Sequence, residues 1–371
     1  MKVGIPSEVK NHEYRVAITP AGVLELVRNG HDVFVQQAAG DGSSIKDDEF
    51  VGAGARILPT ADDVWAEGDL ILKVKEPIAA EYHRMRPGQT LFTYLHLAAS
   101  RECTDALLSR GVTGIAYETV ELPDQSLPLL APMSEVAGRM APQVGAATLQ
   151  RAAGGRGVLM GGVSGVYAAK VVVIGAGVSG MNAAAIALGM QAEVLLLDKN
   201  INRLRQADAI YQGHLQTIAS NAYEVEKAVL DADLVIGAVL VPGAKAPMLV
   251  SNELVSRMKR GSVLVDISID QGGCFEDSHP TTHGEPTYRV HDSVFYCVAN
   301  MPGAVPHTST YALTNVTLPY AVDLANKGWR QALKDDPALA LGLNTHDGQI
   351  TYAAVAEAFG LPSVKLDEVI G

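Results

Sequence analysis

The sequence predicts an α/β protein of two doubly wound parallel-sheet domains separated by a cleft, one inserted within the other. Three observations carry this expectation. Strand and helix signals alternate twice, once before residue 130 and again after residue 170, as parallel βαβ units require. A glycine-dense stretch, residues 154–165, falls between the two series and reads as a connection at a domain boundary. After Pro306 the pattern turns helical and offers no strand of its own, so this ending is expected to return to the first series. The expected domains are residues 1–130 with 307–371, and an inserted 131–306; 371 residues suffice for two such cores.

The elements follow in order. Residues 1–5 read as a short apolar strand, and residues 20–28 as a helix that stops at Asn29-Gly30. Strands follow at 31–35, 69–74 (ended by Glu76-Pro77), 90–95 (running into His96) and 112–117. A helical stretch from 134 to about 153 is expected to be interrupted at Pro142. In the second series, strands are expected at 171–174, 193–197, 234–239, 263–267 and 294–298, with helices between. The ending is helical over 311–327 and 351–359.

Composition narrows the function class. With 48% hydrophobic and 19% charged residues and no low-complexity tract, the chain is globular. A formal charge of −12 argues against nucleic acid or an anionic membrane as partner. An anionic substrate would therefore need local basic residues. No apolar run approaches the ~18 residues of a membrane span, and the opening MKVGIPSEVK lacks a signal region. Cys103, Cys274 and Cys297 make an odd count without metal-ligand spacing, which fits a reduced, cytoplasmic chain and no metal centre.

The most informative local signal is KVVVIGAGVSGMNAAAIALGMQAEVLLLD, residues 170–198. A β-branched strand runs into Gly175-Ala176-Gly177-Val178-Ser179-Gly180, an alanine-rich helix follows, and a second strand ends in Asp198. Gly175 permits the tight turn, Gly177 lets the backbone approach a pyrophosphate, and Gly180 lets the helix pack close to the strand. The pyrophosphate then sits at the positive end of the helix. Asp198 stands where a carboxylate accepts the adenosine ribose hydroxyls and repels a 2′-phosphate, which favours NAD over NADP. A glycine turn alone would be weak evidence; strand, turn, helix, strand and acid in order predict a Rossmann-like dinucleotide site. Lys199, Arg203 and Arg205 lie nearby, and Arg203 suits either a cofactor contact or a solvated helix charge. Later strand ends place Val239-Leu240, residues 267–273 and Val298-Ala299-Asn300-Met301 where ribose and nicotinamide would face them; Asn300 suits either a ligand contact or a turn.

In the first series four polar residues stand at or near strand ends: Arg15, Lys75, His96 and Glu118. Arginine offers a planar fork for a carboxylate, lysine a compact charge for a carbonyl or carboxylate oxygen, and histidine a proton exchanger near neutral pH. Asp270 ends a strand of the second series. Taken singly, Arg15 and Lys75 suit surface charges, His96 a structural hydrogen-bonder and Asp270 a cap on the glycine turn after it. Their joint place at neighbouring strand ends favours a site. Glu118 leaves room for a peripheral cation.

GIPSEVKNHEYRVAITP (4–20), LKVKEP (72–77), YLHLA (94–98), APMSEVAGRMA (131–141), VDISIDQGG (265–273) and VANMPGAVPHTST (298–310), with the glycine fingerprint, together resemble bacterial alanine dehydrogenases over essentially the whole chain. The resemblance implies a substrate domain and an inserted NAD-binding domain. It implies Arg15 and Lys75 as ligands of the substrate carboxylate and carbonyl oxygen, His96 as general acid/base, and Asp270 as second catalytic residue. It implies cofactor contacts at Ser134, Gly175, Gly177, Val178, Ser179, Gly180, Asp198, Arg203, Ser220, Val239, Leu240, Ile267, Asp270, Val298, Ala299, Asn300 and Met301. His279 departs from the arginine of relatives, so no contact is expected there. The implied reaction is reversible deamination of L-alanine to pyruvate and ammonium by a homohexamer. The alternatives are the NAD-binding subunit of a nicotinamide nucleotide transhydrogenase, which shares the architecture but not the YLHLA histidine, and a catalytically silent NAD-binding protein.

Overall fold

Fifteen strands, in a computed structural model that describes residues 1–239 and 246–371, form two sheets. The strands are β1 (Lys2–Ile5), β2 (Asp32–Gln36), β3 (Arg56–Leu58), β4 (Leu70–Leu72), β5 (Thr90–Thr93), β6 (Thr113–Ala116), β7 (Lys170–Ile174), β8 (Glu193–Asp198), β9 (Gln216–Ala219), β10 (Leu234–Gly237), β11 (Val263–Asp266), β12 (Thr287–Val290), β13 (Ser293–Tyr296), β14 (Leu343–His346) and β15 (Gln349–Ile350). The chain divides into unit 1, Met1–Met133 with Val305–Gly371, and unit 2, Ser134–Ala304.

Unit 1 carries the eight-stranded sheet β15-β14-β6-β5-β4-β1-β2-β3. Val3, Gly4 and Ile5 are all buried, as a strand covered on both faces requires. The helix Pro20–Arg28 begins where Thr19 accepts a hydrogen bond from the Gly22 N–H, with Pro20 in the first turn, and stops at Asn29. Because β1 lies between β2 and β4, the chain winds outward both ways from there, and the carboxyl ends of β1 and β4 form a topological switch point. Its core includes Trp65, Ile71, Leu91, Leu107, Ile350 and Val355.

Unit 2 carries β12-β13-β11-β10-β7-β8-β9, with the parallel order characteristic of dinucleotide-binding sheets and a switch point between β7 and β10. Val172, Leu197, Val229, Val235, Leu264 and Phe295 fill its core.

Two expectations need correction. The ending is not strandless: β14 adds antiparallel to β6, and β15 to β14. Its sequence hides this, because Asn344 and Thr345 are buried polar residues whose side chains donate to Thr119 Oγ1 (2.8 Å) and the Val112 carbonyl (3.3 Å). With β12 antiparallel to β13 as well, each sheet is dominated by the expected parallel strands and carries antiparallel pairing at one edge. The helix Ala131–Thr148 also runs through Pro142 without stopping, forgoing one backbone bond. Strands β3, β9 and β12 and helices Asp47–Gly52 and Ala61–Glu67 had no counterpart in the sequence reading.

Candidate active site

In unit 1, Lys73 follows β4 and is wholly buried. Its Nζ lies 3.0 Å from Glu8 and 2.9 Å from Glu81, both buried too. Burial disfavours the Lys73 charge, but Glu8 and Glu81 outweigh it and hold the ammonium above the usual lysine range. Burial raises the Glu8 carboxyl against the pull of Lys73. Glu8 also accepts the Val74 N–H at 2.6 Å, so the segment after β1 is tied to the end of β4.

Two residues on, Lys75 is half-buried beside Glu76. One Glu76 oxygen pairs with Lys10; the other is buried with no hydrogen-bond partner among the described residues. Burial would raise the Glu76 carboxyl, yet the charges of Lys75, Lys10 and His96 hold it below the usual range. Lys75 and His96 therefore face the same carboxylate.

Arg15 is no surface charge: it is 2% exposed. Its Nη2 and Nε bond the two Glu13 carboxylate oxygens at 2.5 and 2.7 Å, and Nη1 reaches Met133 Sδ at 2.9 Å. Burial works against the guanidinium charge, and Glu13 more than restores it. Arg15 also acts on Tyr94, whose ring stacks on His96 at 5.8 Å between centroids and 10° between planes. Arg15, Lys75 and His96 thus follow β1, β4 and β5, three adjacent strands of this sheet. His96 adopts φ +46°, ψ +38°, a left-handed conformation that costs a non-glycine residue roughly 1–2 kcal/mol. Glu118 accepts the His96 N–H at 2.6 Å and the Leu95 N–H at 3.2 Å. Its oxygens serve the His96 turn, and among the described residues no His, Cys, Asp or Glu cluster suits a metal.

In unit 2 the three fingerprint glycines meet three different constraints. Gly175 has φ +109°, and a Cβ there would lie 2.5 Å from the Ala238 carbonyl oxygen. At Gly180 a Cβ would lie 1.7 Å from the Gly175 oxygen, so this helix rests on the strand backbone. At Gly177 a Cβ would meet nothing within 4 Å, leaving open space at the N-terminus of the helix Val178–Gly189. That cradle fits a pyrophosphate. Asp198 accepts the Ala176 N–H at 2.6 Å and the Asn200 N–H at 2.7 Å, which shapes the glycine loop. Arg203, largely exposed, stands 3.7 Å from Asp198, and the Ser220 N–H donates to the Asp198 carbonyl at 2.9 Å.

Val178 is exposed, Ser179 half-buried, and Ser134 half-buried in the helix Ala131–Thr148. Ser268 donates to the Val239 carbonyl at 2.7 Å and lies 3.0 Å from its N–H, joining the ends of β10 and β11. Leu240 lies outside the described residues. Ile267 opens the 3-10 turn Ile267–Gln271, where Asp270 is exposed. Val298 and Met301 are buried, Ala299 and Asn300 half-buried, and Asn300 has φ +64°. His279 stacks on Tyr288 at 3.7 Å. Sequence reasoning missed the partners Glu13, Lys73 and Asp266. Asp266 is buried and accepts Ser268, Cys274 and Ser278 donors, and burial raises its carboxyl. Lys73 within LILKVKEP and Asp266 within VLVDIS each interrupt an apolar run, which is the signal that could have flagged them.

Residues 4–137 match the family model "Alanine dehydrogenase/PNT, N-terminal domain" and residues 141–353 its "C-terminal domain" counterpart. An alanine dehydrogenase of Mycobacterium tuberculosis is 66% identical over 370 residues, covering 100% of both chains. A solved L-alanine dehydrogenase superposes with a TM-score of 0.94 at 52% identity, over 97% of this chain and 99% of that one. A transhydrogenase from Sinorhizobium meliloti superposes with a TM-score of 0.81 at 28% identity, over 95% and 100%. With both family domains matched in order along it, this chain belongs to the alanine dehydrogenase/PNT family.

Proposed function

We propose that this oxidoreductase interconverts L-alanine with pyruvate and ammonium, using NAD. The observation that carries the reading is the 66% identity to an alanine dehydrogenase over the full length, against 28% to the transhydrogenase. Unit 1 is the substrate domain and unit 2 the NAD-binding domain, which suits the expected boundaries near 131 and 306.

NAD supplies the acceptor for the hydride that leaves the alanine α-carbon, which breaks the C–H bond and leaves a C=N double bond. Arg15, oriented by Glu13, and Lys75 hold the substrate carboxylate and the developing carbonyl oxygen. His96 takes one proton from the water that adds to the C=N carbon and returns it to nitrogen; as the C–N bond breaks, the hydroxyl left by that water gives its remaining proton to the departing ammonia and becomes the carbonyl. Ammonium and pyruvate leave. Asp270 is the second catalytic residue of this reading, balancing the positive charge of the imine and assisting water. The cradle at Gly177 with Val178, Ser179 and Gly180 takes the pyrophosphate, and Asp198 the adenosine ribose, which selects NAD over NADP. Ser134, Arg203, Ser220, Val239, Leu240, Ile267 and Val298–Met301 complete the cofactor contacts. A methyl-sized pocket separates alanine from a substrate one methylene larger by only ~1–3 kcal/mol, so serine and 2-aminobutyrate are expected to turn over more slowly.

We further propose a cytoplasmic homohexamer. Three buried, unbridged cysteines suit a reducing compartment, and no helix among the described residues is long and apolar enough to cross a membrane. The exposed apolar segment around Tyr167 supports self-association.

The test is a spectrophotometric panel of amino acids with NAD⁺ and NADP⁺. L-alanine with NAD⁺ should generate NADH, and His96→Ala should lower kcat by about 10²–10⁴-fold. No turnover of alanine, serine or glycine overturns the proposal.

A further inference from the structure

The conformation of His96 is not one its own sequence prefers. A histidine at φ +46°, ψ +38° must be held there by its surroundings. The holding group comes from the neighbouring strand: Glu118 lies just past the end of β6, which pairs with β5. Its carboxylate accepts two consecutive backbone N–H groups, Leu95 at 3.2 Å from both oxygens and His96 at 2.6 Å from Oε1. The same Oε1 lies 3.9 Å from His96 Nδ1. The Tyr94 ring lies parallel to the imidazole, and Tyr94 is itself anchored by donating to the Leu129 carbonyl at 2.6 Å. One carboxylate thus fixes the backbone turn and borders the imidazole it presents.

We propose that Glu118 is the positioning residue of His96: it maintains the left-handed turn that aims the imidazole, and contributes to turnover only through it. This rests on the proposed acid/base role of His96. Glu118 need not touch substrate, and its loss is expected to lower kcat while leaving binding nearly intact.

The experiment compares Glu118→Ala, Glu118→Gln, His96→Ala and the double variant His96→Ala/Glu118→Ala in the full-length enzyme, at saturating L-alanine and NAD⁺. Glu118→Ala should lower kcat about 10- to 100-fold, as loss of charge-assisted hydrogen bonds to an aligned catalytic group implies. KM for alanine and NADH affinity should stay within about threefold of the parent. Glu118→Gln, which keeps an acceptor oxygen for the His96 N–H, should recover part of the loss. In the His96→Ala background, removing Glu118 should cost less than about twofold more, since residues acting as a unit are not additive. The proposal is overturned if Glu118→Ala retains kcat within about twofold, or if its full factor reappears in the double variant. Should Glu118→Ala fail to fold, Glu118→Gln and its double variant carry the same comparison. An inactive parent enzyme would instead refute the proposed function.

Discussion

A Cβ added at Gly180 would lie 1.7 Å from the Gly175 carbonyl oxygen, whereas one added at Gly177 would meet no atom within 4 Å. The two substitutions should therefore fail differently. Gly180→Ala must push the helix Val178–Gly189 off its strand, a backbone clash costing about 1–3 kcal/mol or more, so melting temperature and NADH affinity should both fall. Gly177 already has φ −78°, which alanine tolerates. Gly177→Ala should melt like the parent yet bind NADH at least about tenfold more weakly, because its methyl occupies the space the cradle reserves for pyrophosphate. Thermal melting without ligand and NADH fluorescence titration separate the two, and parent-like binding by Gly177→Ala would remove the pyrophosphate from this loop. These local roles were legible in the sequence because GxGxxG geometry depends on neighbours a few residues away. The second duty of Asp198, accepting the Ala176 and Asn200 N–H groups, was not. Nor was the Glu13 fork on Arg15, a pairing two residues apart that depends on the conformation of its segment, nor the Glu118 bonds to Leu95 and His96, partners more than twenty residues apart that only the folded chain brings into reach.

At the scale of elements, the end of β4 is held by charge rather than by apolar packing. Removing Lys73 strands Glu8 and Glu81 in a buried setting, so Lys73→Met should destabilise unit 1 by about 3–5 kcal/mol, a drop in melting temperature on the order of 10 °C. The pH dependence has a definite sign. The Lys73 pKa is raised in the fold, so its stabilisation is complete below the free-lysine value of about 10.4 and is lost as pH rises through the folded value. In Lys73→Met the Glu8 carboxyl, already raised by burial, loses the charge that opposed that rise, so that variant weakens as pH rises past about 4.3. The gap between parent and variant should widen through the carboxylate range, hold across neutrality, and close only in strong alkali. Urea midpoints along a pH series check this, and a gap that does not depend on pH contradicts it. Elements of this kind resist sequence reading. Central strands such as β7 and β11 announced themselves through the runs VVVI and VLV, because burial on both faces leaves only apolar residues. Strand β14 did not, because Leu343-Asn344-Thr345-His346 satisfies its polar groups on β6 and its neighbours, more than 200 residues earlier in sequence. Strand β3 is three residues at a sheet edge, too short for a periodic signal.

At the scale of the whole molecule, the segment between the helix Ala131–Thr148 and β7 exposes Leu159 at 64%, Val163 at 61%, Val166 at 64% and Tyr167 at 94%. A lone antiparallel bridge between Val163 and Val166, with the Ala169 N–H donating to the Met160 carbonyl at 2.9 Å, shapes it into a hairpin. Such a hairpin is marginal in water by itself, and four adjacent large apolar residues in solvent make a patch of the kind that protein–protein contacts bury. A second copy of this chain is the proposed occupant; the number six comes from the family resemblance alone. Each copy carries a net charge of −12, so association must overcome mutual repulsion and draw its energy from apolar burial. Assembly should therefore strengthen with added salt, which screens the repulsion while leaving hydrophobic contact intact. Light scattering after size exclusion should give the mass of six chains for the parent. Val163→Glu/Tyr167→Glu should give a smaller species that still binds NADH, because the hairpin lies outside the glycine loop. A monomeric parent, or a double variant that assembles as the parent does, removes the hairpin as the contact that builds the oligomer.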